Sequence, residues 1–315
     1  MVVDSLIRIP GAVELSTVVL ALAFALDVTV SEFPQRVHPV VWFGRVVGAF
    51  DSEWRHPRAV GLGLAVALPL AAGGALWAVT ALALRLGTIV GVAVAALALF
   101  STFSYRMLLD TAREVITLTA SDPDTARSRV KALVGRDAGS LSPAQLRSGA
   151  VESAAENLAD GLVGPVLAFA VGAQLSLAAG VGAAATLKAV NTMDSMLGYR
   201  SKSVGTAAAR LDDMAMWLPA RVSALLLAVA AWDPGAIRRG RPWADRPASP
   251  NSGWPMATLA AAASVKLSKP GAYTLNEIAS YPTVDRADAC VRIVAIAGLL
   301  AVVLAVVVAR SEVVA

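Results

Sequence analysis

Long apolar runs punctuated by dense polar stretches set the reading of this chain. Residues 15–30 form the first apolar run, with Asp27 near its end. Residues 59–84 carry no charge, and after Arg85 neither do residues 86–105. Residues 161–187 are again uncharged, residues 214–232 hold only Arg221, and residues 293–309 are a Val/Ala-rich run. The longer runs reach the roughly 20 residues that a helix needs to cross about 30 Å of hydrocarbon. The pattern predicts an all-α, polytopic integral membrane bundle of about four to six membrane segments, with embedded polar loops. The break at Arg85–Gly87 makes the second and third runs a helical hairpin. No cleavable leader is expected, because the first residues mix acids with a lone Arg8.

Polar stretches separate the runs within what reads as one membrane domain over residues 1–315. The largest insert, 106–160, has turn signals at 121–123 and at 140–143, where Ser142-Pro143 reads as a helix start. It carries Arg106, Arg113, Arg127, Arg129, Lys131, Arg136 and Arg147, and the positive-inside rule makes its face cytoplasmic. Residues 161–187 are long enough to span, yet Gly172, Gly180, Gly182 and Gln174 permit a broken segment that returns to the side it left. The expectation is that it is not one straight helix, and that residues 191–213 therefore face the same compartment as the insert.

Composition supports the membrane reading. Of 315 residues 57% are hydrophobic and 16% charged, and mean hydropathy is +0.64. A soluble domain reaches about 45–50% apolar and about 25% charged. The net charge of +4 fits basic loops at anionic lipid better than nucleic acid, for which no signature is present. Cys290 is the single cysteine, and His38 and His56 are the only histidines, which excludes an intramolecular disulfide and a thiolate cluster and argues against a histidine-rich zinc site. A metal here would be a hard cation on oxygen ligands, which points to magnesium.

Three stretches carry chemistry. In GAVESAAENLADGLVGP (149–165), Glu152, Glu156 and Asp160 recur every fourth residue and stack three carboxylates on one helix face. Like charges so placed repel, so the face suits a cation, a magnesium-bound phosphate or an amine; its bland reading is a solvated helix side. In residues 188–221, Asn191, Asp194 and Ser195 share a face, and Arg210, Asp212, Asp213 and Arg221 follow, a mixture that offers ligands for a hard metal and clamps for anions. Asp212 equally suits a helix cap, and Arg210 a lipid-interface residue. In ASPNSGWPMA (248–257), a polar turn precedes an apolar segment opened by Trp254-Pro255. No Walker A, GxGxxG or GxSxG pattern is present.

Taken in order, HPVVWFGR (38–45), VESAAENLADGLVGP (151–165), NTMDSMLGYR (191–200), ARLDDMAMWLPAR (209–221) and SPNSGWPMA (249–257) resemble the CobD/CbiB family of cobalamin biosynthesis, over about residues 20 to 270. The resemblance implies an enzyme that joins aminopropanol or its O-phosphate to the propionate carboxyl of adenosylcobyric acid, giving adenosylcobinamide or its phosphate, with ATP and Mg2+. It departs where many relatives have Gly-Asp-Pro and this chain has Ser31-Glu32-Phe33-Pro34. The resemblance supplies the motifs and not their division of labour; by residue type within them, Glu152, Glu156, Asn157 and Asp160 are the candidate catalytic residues and Asp194, Asp212 and Asp213 the candidate metal ligands. His38, Arg45, Asn191, Ser195, Tyr199, Arg200, Arg210, Arg221 and Asn251 are the candidates for substrate. A multi-pass cell-membrane protein with a cytoplasm-facing site follows, and a complex with other enzymes of the pathway is left open. A membrane sensor and a small-solute transporter are the alternatives; a transporter would place its ionisable residues at mid-span, whereas the charges here sit at the ends of the apolar runs.

Overall fold

The structure, a computed structural model, describes residues 12–131, 133, 139–199 and 201–311. Within them the chain is helical apart from one short antiparallel ribbon, β1 (Leu267–Lys269) with β2 (Tyr273–Leu275). Four stretches are long and apolar enough to cross a membrane: Pro57–Leu86, Thr88–Ser121, Pro143–Ala173 and Val284–Arg310. Ser203–Ala215 and Trp217–Ala230, bent 45° from each other, add a fifth if taken as one broken span. The protein is an all-α polytopic membrane protein. Exposed Leu62, Val66, Leu70 and Val79 on the first stretch, and Leu299, Val303 and Val307 on the last, form apolar surface suited to lipid.

The chain opens with α1 (Ala12–Val30), then the short α2 (Pro39–Gly48), whose amphipathic face lies along a later helix. The long α3 (Pro57–Leu86) starts on a proline, which lacks the N–H that a first helical position leaves unpaired anyway. It ends at Gly87, whose φ of +138° only glycine adopts without strain, and α4 (Thr88–Phe100) turns back from there. The expected hairpin is thus formed.

Next, α5 (Tyr105–Ser121) begins without help from its own N-terminal flank, because the Ser104 side chain makes no capping bond. Asp27 of α1 caps it instead: one carboxylate oxygen accepts from the Tyr105 amide and the other from the Arg106 amide, each at 2.9 Å. Helix α6 (Pro123–Val130) follows, with Asp122 accepting from Thr125 N at its start.

Helix α7 (Pro143–Leu158) starts at the expected position, in a capping box: Ser142 Oγ accepts from Gln145 N, and Gln145 Oε1 accepts from Ser142 N. Residues 106–160, expected as a polar insert between spans, are thus largely helical and half built into the bundle. The reason is amphipathic packing, with Leu108, Leu109, Val115 and Ile116 of α5 and Leu146, Val151 and Leu158 of α7 all buried.

Helix α7 does not stop at the membrane. It widens into one π-helical turn, Ala159–Val163, and continues as α8 (Gly164–Ala173). The chain reverses at Gln174–Ser176, Ser176 Oγ caps the next helix, and α9 (Leu177–Leu197) runs back along α8. Gln174 Nε2 donates to Val308 O at 3.0 Å, which ties the tip of this hairpin to α14 (Val284–Arg310). Residues 161–187 are therefore not one straight helix, as their glycines suggested. Helix α9 crosses α3 backbone to backbone: a Cβ on Gly73 would fall 1.9 Å from Thr186 Oγ1 and 2.7 Å from Gly182 O, the close approach that small residues permit in lipid.

The remaining helices are α10 (Thr206–Ala215), α11 (Trp217–Ala230), α12 (Gly235–Ala244) and α13 (Gly253–Ala262). They pack beside α7, α9 and α14, and α14 buries Cys290, Val294, Ala297 and Ala301 in the common core.

Candidate functional site

The stacked carboxylates belong to the middle of a 31-residue helical stretch, Pro143–Ala173. They stand where the apolar run begins, as expected, on a helix that extends to both sides of them. Buried charge within a span is costly unless it faces protein or water, and here it faces both. Glu152 and Glu156 line a cleft of about 680 Å³, together with Ser249, Ser252, Arg246, Lys269 and Tyr273. Glu152 is only 5% exposed, and Glu156 and Ser252 lie together on the cleft wall. A cleft of this size lies within the range of small-molecule sites. Arg246 grips Glu277 with both terminal nitrogens, at 2.7 and 3.0 Å, and holds that surface carboxyl at about 2.

One turn further on, the π-helical turn brings Asp160 within electrostatic reach of Lys188 and beside Asn191 of α9. Asn191 Nδ2 also donates to Asp212 Oδ1 at 3.4 Å, and both residues are buried, at 8% exposure each. Asp212 lies within α10, not in a cap, and is within electrostatic reach of Asp160, Asp194 and Asp213. The α8–α9 hairpin produces this convergence, because reversal at Gln174 returns Lys188, Asn191 and Asp194 to the depth of the α7 carboxylates.

Asp213 joins this floor to the cleft. Ser249, on the cleft wall, donates to Asp213 Oδ1 at 3.4 Å, and Asn251 Nδ2 donates to Asp213 O at 2.8 Å. Arg221 donates to Asn251 Oδ1 at 2.5 Å and to Pro250 O at 3.3 Å, and its guanidinium lies 4.6 Å from the Trp217 ring and 5.0 Å from that of Trp254. Arg221 and Asn251 thus hold the polar turn before α13 against the bend between α10 and α11. Their geometry is that of a loop clamp.

Other predicted residues are dispersed. Asn157 donates back to Ser153 and lines a small cavity beside Gly161. His38 caps α2 through Nδ1, which accepts from Val40 N at 3.1 Å, while Nε2 stands 3.4 Å from Glu32 Oε1. Ser195 turns its hydroxyl onto Asn191 O. Arg45, Tyr199 and Arg210 are exposed and line neither the cleft nor the cavities described here. Arg200 lies outside the described residues.

The expected metal set of Asp194, Asp212 and Asp213 is not assembled as one cage: among the described residues no three Asp, Glu, His or Cys side chains converge to hold an ion. Asp212 and Asp213 are neighbours on a helix, so their side chains diverge by about 100°. Magnesium, however, keeps most of its water and needs only one or two carboxylates beside substrate phosphates. The oxygen-only donors Asp194 and Asp212 fit that requirement. Lys188 was missed in the sequence; its signal was that it is the first charge after the uncharged run 161–187, in a stretch bound for the membrane.

Comparison with known proteins places the chain. The CobD/Cbib protein family matches residues 20–304. A protein of Methanothrix thermoacetophila named "Probable cobalamin biosynthesis protein CobD" is 34% identical over 300 residues, 91% of this chain and 94% of the relative. "Cobalamin biosynthesis protein CobD" of Klebsiella pneumoniae is 36% identical over 268 residues, 80% of this chain and 82% of the relative. "Cobalamin biosynthesis protein CbiB" of Salmonella typhimurium is 36% identical over 274 residues, with the same coverage of each chain. No solved structure matches.

Proposed function

The chain belongs to the CobD/CbiB family, and from that premise we propose that it forms the amide bond between the propionate carboxyl of adenosylcobyric acid and aminopropanol or its O-phosphate in cobalamin biosynthesis. The observation that carries this reading is the acidic face of α7, opened to a polar cleft of about 680 Å³ at the centre of a membrane bundle. The cleft takes the propionate arm and the edge of the macrocycle, and the remainder of the corrinoid stays outside.

ATP with Mg2+ supplies the activation that turns the carboxylate into an acyl donor, and Asp194 and Asp212 are the residues that would hold the metal. Lys269 on the cleft wall offsets the charge of the entering carboxylate. The amine nitrogen attacks the activated carbonyl carbon, the C–N bond forms, and the leaving group departs with one carboxyl oxygen. The proton released from nitrogen passes to a carboxylate oxygen of Glu156, which shares the cleft wall with Ser252. Glu152, one turn back on the same face, is placed to relay it to the cleft. We assign this face to the cytoplasm, because Arg113, Arg127 and Arg129 follow the positive-inside rule there.

The test is an assay of the purified protein with adenosylcobyric acid, each amine, and ATP or GTP with Mg2+, read by mass spectrometry. The expected product is adenosylcobinamide or its phosphate. No amide product from either amine, with folded protein, would overturn the proposal.

A further inference from the structure

Lys188 stands where two adjoining cavities meet, of about 160 and 150 Å³, which share Ser104 as well. The first is lined by Asn157, Gly161, Met107 and Leu133, and the second by Glu32, His38, Ser101 and Phe103. Leu133 also lines the large cleft, and Asn157 is tied by its amide to Ser153, which does the same. Leu133 and the Ser153–Asn157 pair therefore form the partition between the cavities and the cleft.

The charges are unbalanced in an informative way. Asp160 of the π-helical turn, Glu32 of the segment after α1 and Asp212 of α10 lie within electrostatic reach of the Lys188 ammonium, and Glu32 shares the wall of the second cavity with it. Three acids to one ammonium in this region leave negative charge for a second cation. A 160 Å³ cavity holds about five waters at roughly 30 Å³ each, the bulk of a three-carbon amino alcohol and far below that of a corrin. His38, with Nδ1 committed to its helix cap, turns Nε2 to Glu32 and fixes that carboxylate at the cavity wall.

We propose that these two cavities are the binding compartment of the amine co-substrate, with Glu32 receiving its ammonium group and Lys188 its hydroxyl or phosphate oxygen. The inference rests on the ligase reading above. Its consequence is that the two substrates approach the α7 carboxylates from opposite sides of the partition, the corrinoid arm from the cleft and the amine from the Lys188 side.

The test separates the two Michaelis constants. Removing a hydrogen bond to a charged group costs on the order of tenfold or more in affinity. Glu32→Gln should therefore raise KM for aminopropanol and for its phosphate about tenfold, with the corrinoid KM within about twofold of wild type. Lys188→Met should raise the amine KM as well. A rise confined to the phosphate ester assigns phosphate to Lys188, and an equal rise for both amines assigns the hydroxyl. Lys188→Arg, which keeps the charge, should restore part of the loss, and Glu32→Gln carries the test if Lys188→Met does not fold. Unchanged amine KM in Glu32→Gln, or amine and corrinoid KM rising in step, overturns the compartment. Calorimetric titration of wild type with each amine alone distinguishes the two readings. Amine binding that Glu32→Gln weakens, in a protein that makes no amide, keeps the compartment and refutes the ligase.

Discussion

Asp27 offers a stringent check on the bundle that carries the site, because it stabilises a helix that its own sequence leaves uncapped. Its carboxylate is 0% exposed and accepts two backbone amides, from Tyr105 and Arg106, across a separation of 78 residues. A hydrogen bond to a charged group contributes about 1.5–3 kcal/mol net. Asp27→Ala removes two and leaves both amides without a partner in a dry place, so the cost is about 3–5 kcal/mol. Ser104 does not compensate, since its side chain already makes no capping bond. Asp27→Asn keeps one acceptor oxygen and turns a donor toward the second amide, and should lose at least half as much.

Cys290 provides the readout. It is 0% exposed in the core face of α14, which packs on α5, so a thiol-reactive fluorophore reports opening of this part of the bundle. Taking about 2 °C per kcal/mol, the low end for domains of 150–250 residues, the Asp27→Ala midpoint should fall by about 6–10 °C. A midpoint within about 1 °C of wild type would show that α5 starts without Asp27, and the reasoning would fail.

Three further outcomes follow from the site. Asp212→Asn and Asp194→Asn keep side-chain shape and should leave the Cys290 unfolding midpoint nearly unchanged while lowering amide formation at least about tenfold, the equivalent of 1.4 kcal/mol in the barrier; normal turnover in both would return these acids to a structural role. Activity should vanish in excess chelator and return with Mg2+, and full turnover in verified metal-free conditions would exclude a divalent ion from the reaction. In a Cys290→Ser background, Ser201→Cys and Ser128→Cys should show the same response to a membrane-impermeant thiol reagent on intact cells, both protected from outside; labelling of Ser201→Cys alone would place the two on opposite faces.

Local signals were legible where a residue acts on its own neighbours. Ser142-Pro143 announced the start of α7, Gly87 the α3–α4 reversal, and the glycines around Gln174 the second hairpin. The acidic face of α7 was visible as a period of four. Its position within a longer helix was not, because an apolar count ends a span at the first charge, whereas charge facing a cleft is tolerated. Lys188 was passed over, and Asp27 and Glu32 were noted without a role, for a related reason. Each is an isolated charge whose meaning comes from partners on other helices, and Asp27 and the Tyr105 amide meet only in the fold. Arg221 and Asn251, candidates for substrate by residue type, also hold the polar turn before α13 in the fold, a contact between distant segments that no local pattern announces.

The π-helical turn at Ala159–Val163 has a further consequence for how this stretch tolerates change. A π turn accommodates an extra residue within one turn of helix, and restoring regular α geometry would require a one-residue deletion. Each residue of an α-helix turns the chain by about 100°. Such a deletion within the turn would straighten the helix and move Asp160 while keeping Glu152 and Glu156 nearly in phase with α8, whereas the same deletion in the regular helix on either side would swing them by about 100°. The turn is thus the place on this stretch where one residue can be lost or gained without taking the carboxylates off the cleft, and the regular turns beside it have no such allowance.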